Sequence, residues 1–526
     1  MPVSNDKIVQ YILKFVDKNY RFPSRNELNA AGFSRDLVRS RFGSLEILRK
    51  NILEETGLPN YVSEHSYGQD YLRKLKSKIK NTKVFIISSF VCGTTVNKKF
   101  LNNLRGLADH YKAELLMFPL LDKQNKADKF FDPELLDTNI ITDELWLNSN
   151  LCLSNIAVAA RSVDPSSGLP RVGQRNGSTI LGATKQRLKY VPTGVSSMPH
   201  ALMSTGAVTN PEYSKSNLFK SKAARLAEED HKFGAIVVEI VDNDIFHFRN
   251  IEAGPQMEVI DLGVKVQNGR VSKVAPAAMV LGDWHSGKTN NDVARQSMLL
   301  SKKLNISKWI LHDIFDGDSI NHHDNGRHIT RAKKVRFTDL SIEKELKGLV
   351  KDLYWMTSFL KEIVVVRSNH DEFLDLYLNT AKYVEDPHNH AIALELALEM
   401  IKGHNPIQYW LGKNLSSKIF SKIKWLKRDQ PYKLGGVDCG HHGDAGANGA
   451  KPSVQSLENA YKKAVTGHSH TPQIMRDIYV VGTSTDTVPD YGKGGPNSWM
   501  NTHCIVYPNG TRQLINLIDG KFTNLW

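Results

Sequence analysis

Apolar residues recur at helical spacing between residues 6 and 18, at Ile8, Tyr11, Ile12 and Phe15, the interval that places side chains on one face of an α-helix. Three helix starts follow. Ser24 with Glu27 three positions later, after Pro23, is a capping box. Gly32 can stop that helix in the left-handed conformation, and Ser34 and Ser44 can cap two more. A short helix, a glycine turn and another helix make a helix-turn-helix pattern, with Val38 and Phe42 toward a core and Arg35 and Arg39 on another face. Residues 71–83 then carry six basic residues (Arg73, Lys74, Lys76, Lys78, Lys80 and Lys83) and no acidic one. At residue 84 the period changes. VFIISSFV reads as a buried strand, 97–112 as a helix and AELLMFPL as a second strand, which together form a βαβ unit. Residues 161–232 are rich in Ser, Gly, Pro and Asn and predict few regular elements, whereas 234–274 return to strands with a hairpin at Asn268-Gly269.

From residue 276 the pattern changes again. The short apolar runs AAMVL, KWIL, EIVVV and KAVT each end in a cluster of Asp, His or Asn, with helical segments over 292–304 and 342–361 between some of them. In α/β folds chemistry sits where strands end. The chain therefore divides into a helix-turn-helix-like domain (1–60), a basic linker or exposed helix (61–83), an accessory α/β region with no nameable chemistry (84–275) and an α/β catalytic domain (276–526). At 526 residues the chain exceeds one ordinary core, in keeping with that division.

Five clusters carry the chemistry: Gly282-Asp283-Trp284-His285, His312-Asp313-Ile314-Phe315-Asp316, Ser368-Asn369-His370-Asp371, His441-His442-Gly443-Asp444 and Gly467-His468-Ser469-His470. Two metals about 3.5–4 Å apart need a bridging carboxylate and a mixed set of nitrogen and oxygen ligands. Asp and His two apart at a strand end can converge on one ion. A neutral Asn limits the negative charge, and further His ligands add affinity without adding charge.

In their order, each after a strand-like run, these clusters resemble the motifs D-x-H, G-D-x-x-D, G-N-H-D/E, H-G and G-H-x-H of the calcineurin-like metallophosphoesterases, over about the last 250 residues. The resemblance implies a β-sandwich flanked by helices and two divalent ions, manganese first, with magnesium, iron or zinc as alternatives. By position it implies that Asp283, His285 and His470 hold one ion, that Asn369, His442 and His468 hold the other, and that Asp313 bridges them. His370 would sit beside the scissile phosphate and assist the leaving oxygen, and Asp316 or Asp371 would orient a histidine. The pattern departs from the family at His312 and Ser368, where glycine is usual. His441 competes with His442 for the fourth motif, and His442 is preferred because it directly precedes Gly443.

The stretch RFPSRNELNAAGFSRDLVRSRFGSLEIL resembles the helical repeat found beside phage and homing endonucleases, and the layout resembles the pre-early DNA-degrading nucleases of large tailed phages. The implied function is metal-dependent hydrolysis of DNA phosphodiester bonds by a phage-encoded enzyme. Arg35, Arg39, Arg73, Lys74, Lys76, Lys78 and Lys80 are candidate DNA contacts, though a protein-binding helical module with a solvated basic face fits the same residues. Arg327, Arg331, Lys333, Lys334 and Arg336 fit a solvated helix face or a DNA path. Trp499 and Tyr491 fit core packing or base stacking.

A net charge of +14 favours a polyanionic partner. No apolar run approaches the ~18 residues that span a bilayer. The opening MPVSNDKIVQ lacks a secretory pattern. The four cysteines are scattered without a C-x-x-C pair, so a reducing cytoplasm is expected, that of a bacterial host for a phage protein. Oligomeric state is open.

Three rival readings remain: a phosphatase or small-nucleotide phosphodiesterase with the same site, a non-catalytic DNA-binding protein, and a P-loop NTPase. Residues 282–289 match G-x-x-x-x-G-K-T after an apolar strand, and Asp313 would then serve in the Walker-B manner. That last reading leaves Asn369, His370, His442, His468 and His470 without a role. In the metal-site reading Lys288 faces substrate phosphate.

Overall fold

The computed structural model describes residues 5–19, 22–56, 69–120, 131–194, 197–213, 221–324, 326–338, 340–488 and 495–525. The chain forms two compact units. One comprises Met1–Arg187, Ala201–Ile260 and Val264–Ser272, the other Leu188–His200, Asp261–Gly263 and Lys273–Trp526.

The first unit opens with helices Asn5–Asn19, Arg25–Ala30, Arg35–Phe42 and Leu45–Thr56. Ser24 and Glu27 close the expected capping box, and Gly32 turns the chain at φ 86°. Ile8, Ile12, Val16, Leu28, Val38, Leu48 and Ile52 form a core of their own. Residues 57–60 of the expected helical domain and 61–68 of the basic linker lie outside the described residues. The rest of that run is largely helical, Gln69–Ile79, with Leu72, Leu75 and Ile79 buried on one side. Strand Val84–Val91 pairs in parallel with Glu114–Leu120 across the helix Lys98–Tyr111, which Asn97 caps and which Lys112 ends at φ 53°. They belong to a five-stranded sheet.

Strands Ser178–Leu181 and His200–Gly206 fall where few regular elements are expected. Their polar side chains are buried and satisfied by main chain: Ser204 donates to the Lys185 carbonyl at 2.7 Å, and Ser178 accepts from the Ala201 N–H at 3.0 Å. Buried hydroxyls erase the apolar alternation that normally reveals a strand. The hairpin turn at Asn268-Gly269 has both residues at positive φ, 51° and 72°, as a type I′ turn requires.

The second unit holds a six-stranded sheet in the order Ile423–Trp425, Glu362–Val365, Lys308–Leu311, Ala278–Val280, Thr502–Val506, Arg512–Asn516. The first four strands run parallel, Thr502–Val506 pairs antiparallel with Ala278–Val280, and Arg512–Asn516 pairs antiparallel with Thr502–Val506. A further group places Val437–Asp438, Ala464–Thr466 and Ile478–Val480 side by side in parallel. Met279, Val280, Trp309, Ile310, Val364 and Val365 are buried, which explains their unbroken apolar runs. Helix Ile342–Thr357 stops four residues short of the expected 361. There the Thr357 and Ser358 hydroxyls turn back onto the carbonyls of Leu353 and Trp355, which competes with helix propagation.

Candidate metal centre

All five clusters lie in the second unit, each just past the C-terminal end of a strand: Ala278–Val280, Lys308–Leu311, Glu362–Val365, Val437–Asp438 and Ala464–Thr466. The strands are short and fully packed, so their ends are fixed points from which loops can aim side chains. The backbone is strained where it does so. His285, Asp313, His468 and His470 have φ of 47°, 47°, 72° and 54°, a region non-glycine residues rarely occupy without compensation.

Asp283, His285, Asp313 and His470 bring one ligand atom each within 4.8 Å of one another, all buried. His470 Nε2 lies 3.2 Å from Asp283 Oδ2 and 3.3 Å from His285 Nε2. Asp313 Oδ2 lies 3.6 Å from His285 Nε2 and 3.3 Å from His442 Nε2. The His442 ring meets that of His468 at 5.2 Å, and the His468 backbone N–H donates to Asp283 Oδ2 at 2.8 Å. Gly467 is required here, because a Cβ would stand 2.3 Å from Asp283 Oδ1.

Asp283 Oδ1, Asp313 Oδ1, Asn369 Oδ1 and His442 Nε2 are buried without a hydrogen-bond partner among the described residues. Each such group costs about 1–3 kcal/mol if left unsatisfied. Carboxylate and amide oxygens with imidazole nitrogens are a donor set that fits a divalent ion. The residues present therefore fit a metal.

Electrostatics agree. Burial pulls His285 down, but Asp316 and Asp313 outweigh it and raise the imidazole to about 9. Burial likewise opposes Asp313 at His442, which also rises to about 9. Burial pushes Asp313 up, yet His442 and His370 hold it well below the usual carboxylate range. In the metal-free protein two imidazolium groups thus balance the carboxylates. Their folded values lie above the ordinary histidine value of about 6.5, so their contribution to stability is complete below that pH and is lost as pH rises through 9. A metal must displace the same protons. Metal affinity is expected to climb between pH 6.5 and 9, with proton release visible by calorimetry in buffers of different ionisation enthalpy. A pH-independent affinity would remove both histidines from the ligand set.

His370 stands at the edge of this cluster. Its Nδ1–H donates to the Asp316 carbonyl at 2.8 Å, which leaves Nε2 as the atom that can exchange a proton. Its ring meets that of His285 at 4.6 Å. Asp316 Oδ1 also lies 3.0 Å from His285 Nδ1, so Asp316 contacts both His285 and His370. Asp371 has a different task. It accepts from the Ser368 N–H and hydroxyl at 3.2 and 2.9 Å and from the Phe315 N–H at 3.3 Å, tying the third cluster to the second. Ser368 supplies two of those donors. His312 is buried with Nδ1 3.4 Å from His442 Nδ1. His441 turns away to stack on Tyr461 and pair with Asp438 at 3.3 Å, whereas His442 faces Asp313.

The loop 282–289 is not a phosphate cradle. The N–H groups of Trp284, His285 and Ser286 donate to the carbonyls of His312, Asp313 and Ile314, and the next helix starts only after Asn290. A P-loop needs those donors free and the helix N-terminus on the ligand. Lys288, expected to face phosphate, pairs with Asp318 at 3.4 Å. Two residues of the site give no signal in the sequence. Asp352 accepts from Trp284 Nε1 at 2.9 Å and from the Ser286 hydroxyl at 2.7 Å, gripping both neighbours of His285. His503 Nδ1 accepts from the Gly282 N–H at 3.0 Å. Both come from distant elements. Trp499 packs edge-on against His470 at 4.3 Å, and Tyr491 lies outside the described residues.

The candidate DNA contacts lie in the first unit. Arg35 and Arg39 join Arg25 and Arg49 around a cavity of about 510 Å³ that also reaches Gly43 and Ser44 at a helix start. The basic run is partly neutralised. Arg73 pairs with Asp70 at 3.0 Å and Lys78 with Glu114 at 2.9 Å, while Lys74, Lys76 and Lys80 are exposed.

Fold and site together define a mixed α/β protein with a buried Asp and His cluster able to bind a metal ion. The chain is similar to Protein A1 of Escherichia phage T5, with 28% identity over 473 residues, 85% of this chain and 84% of that protein. It thus resembles a phage protein along most of its length. No family model and no solved structure matches it. No helix among the described residues is long and apolar enough to cross a membrane.

Proposed function

We propose that the chain is a two-metal phosphodiesterase of the calcineurin-like metallophosphoesterase type that hydrolyses DNA. The observation that carries this reading is the convergence of ligand side chains from separate strand-end loops onto one buried cluster, with several ligand atoms left unpaired. Asp283, His285 and His470 would hold one ion and Asn369, His442 and His468 the other, with Asp313 shared between the two sets. Manganese is the first choice for such a mixed nitrogen and oxygen set. When bound, the ions supply Lewis acidity toward phosphate and a water of lowered pKa. His370, oriented by the Asp316 carbonyl, gives a proton from Nε2 to the leaving oxygen. The similarity to a phage protein supports a setting in the cytoplasm of a bacterial host, where DNA is abundant. The net charge of +14 and the arginines around the N-terminal cavity support DNA as the partner.

The test is cleavage of linear and circular DNA, and of a small chromogenic phosphodiester, by purified protein. EDTA is expected to abolish hydrolysis and manganese to restore it. Undiminished cleavage in EDTA, or none with any divalent metal, refutes the reading.

A further inference from the structure

Between Asp316 and the helix Ile342–Thr357 the second unit makes an excursion whose outer part is the helix His328–Thr338. Residues 325–338 include Arg327, Arg331, Lys333, Lys334 and Arg336 and no Asp or Glu. Among the described side chains of the helix only Thr330 and Lys334, four residues apart, are half-buried; the others are exposed. The helix therefore touches the body along one narrow stripe.

That stripe is an electrostatic tether. Lys334 Nζ donates to Asp324 Oδ2 at 2.6 Å and also to Asp318, and both carboxylates are largely buried. Arg327 pairs with Asp324 at 3.6 Å. The inner end of the same excursion reaches the candidate site. The Asp316 carbonyl accepts from His370. The His322 ring meets Phe373 edge-on at 4.9 Å, and Phe373 lies against His370 at 4.5 Å. The turn His322–Asp324, to which Lys334 ties the cationic helix, is thus two side-chain contacts from the residue assigned to the leaving oxygen.

We infer that the helix His328–Thr338 is an arm that follows the phosphate backbone of a nucleic-acid strand beside the site, with Lys333 and Arg336 as contacts and Lys334 as the tether. Charge selects the occupant. An exposed helix without one acidic residue repels other basic surfaces and gains affinity for a phosphate chain by counterion release. Lys334, fixed between two carboxylates, is spent on anchoring. The inference rests on the phosphodiesterase reading above.

The test uses full-length protein, wild type against Lys333→Glu/Arg336→Glu and against Lys334→Met, each checked for folding by circular dichroism. The ratio of kcat/KM on duplex DNA to kcat/KM on a small chromogenic phosphodiester is expected to fall at least about 10-fold in the double variant. Losing two phosphate contacts should make the log–log salt dependence of DNA affinity shallower by about 1.8. Lys334→Met is expected to lower the same ratio without any change to Lys333 or Arg336. An unchanged ratio and salt slope in the double variant overturns the arm, and a wild-type ratio in Lys334→Met overturns the tether. If the wild type hydrolyses neither substrate, the phosphodiesterase reading fails. Anisotropy of a labelled duplex over a salt series then still decides the arm, and unchanged affinity in the double variant sinks it. Loss of binding to an acidic polypeptide but not to DNA would reassign the helix to a protein partner.

Discussion

Asp313→Ala is expected to lose metal and turnover together. Asp313 is buried and ends the run KWIL with a φ of 47°. Its carboxylate lies within 3.6 Å of His285 and 3.3 Å of His442, which belong to the two halves of the proposed ligand set. Removing it leaves neither half complete and also removes the negative charge that holds both imidazoles in place. Replacing an outer partner of a metal ligand costs about 10–100-fold, and loss of the shared ligand should exceed that. Metal content by mass spectrometry and kcat/KM on a small phosphodiester, read on protein that keeps its helical signal, check the result. A variant with full metal occupancy would show that Asp313 does not bridge.

His370→Ala is expected to separate the two properties. His370 is half-exposed at the rim of the cluster, and its Nδ1 is committed to the Asp316 carbonyl. It can therefore serve turnover without holding an ion. A positioned acid is worth about 10²–10⁴-fold in rate, so the variant should lose that much in kcat while both metals stay. A small substrate with a very acidic leaving group needs little protonation and should lose much less. Loss of a metal would make His370 a ligand, and equal losses on both substrates would remove it from proton transfer.

The location of the candidate site was legible in the sequence because two local signals coincide there. Short apolar runs mark buried strands, and Asp, His and Asn cannot be buried within them, so those residues collect where each strand ends. The helix starts at Ser24, Ser34 and Asn97 were equally legible, because a cap bonds an N–H only two or three residues away. The strands Ser178–Leu181 and His200–Gly206 were not. Their polar residues are buried through hydrogen bonds to main chain far along the sequence, and no periodicity records such a partner. Asp371 shows the same limit within a motif. The family resemblance offered it as one of two residues to orient a histidine, whereas its carboxylate accepts from nearby Ser368 and from the distant Phe315 N–H.

By itself, then, the sequence determined which residues end strands, which of them can ligate a metal, and that the chain carries a large positive charge. These follow from local periodicity, side-chain chemistry and summed charge. Only the tertiary structure decided which histidine of the adjacent pair faces Asp313, that Asp352 and His503 fasten the first loop, that Trp284, His285 and Ser286 spend their N–H groups on neighbouring carbonyls, and that Lys334 ties a basic helix to Asp318 and Asp324. Each of these depends on a partner brought close by sheet order and loop packing, and the folded chain alone creates that proximity.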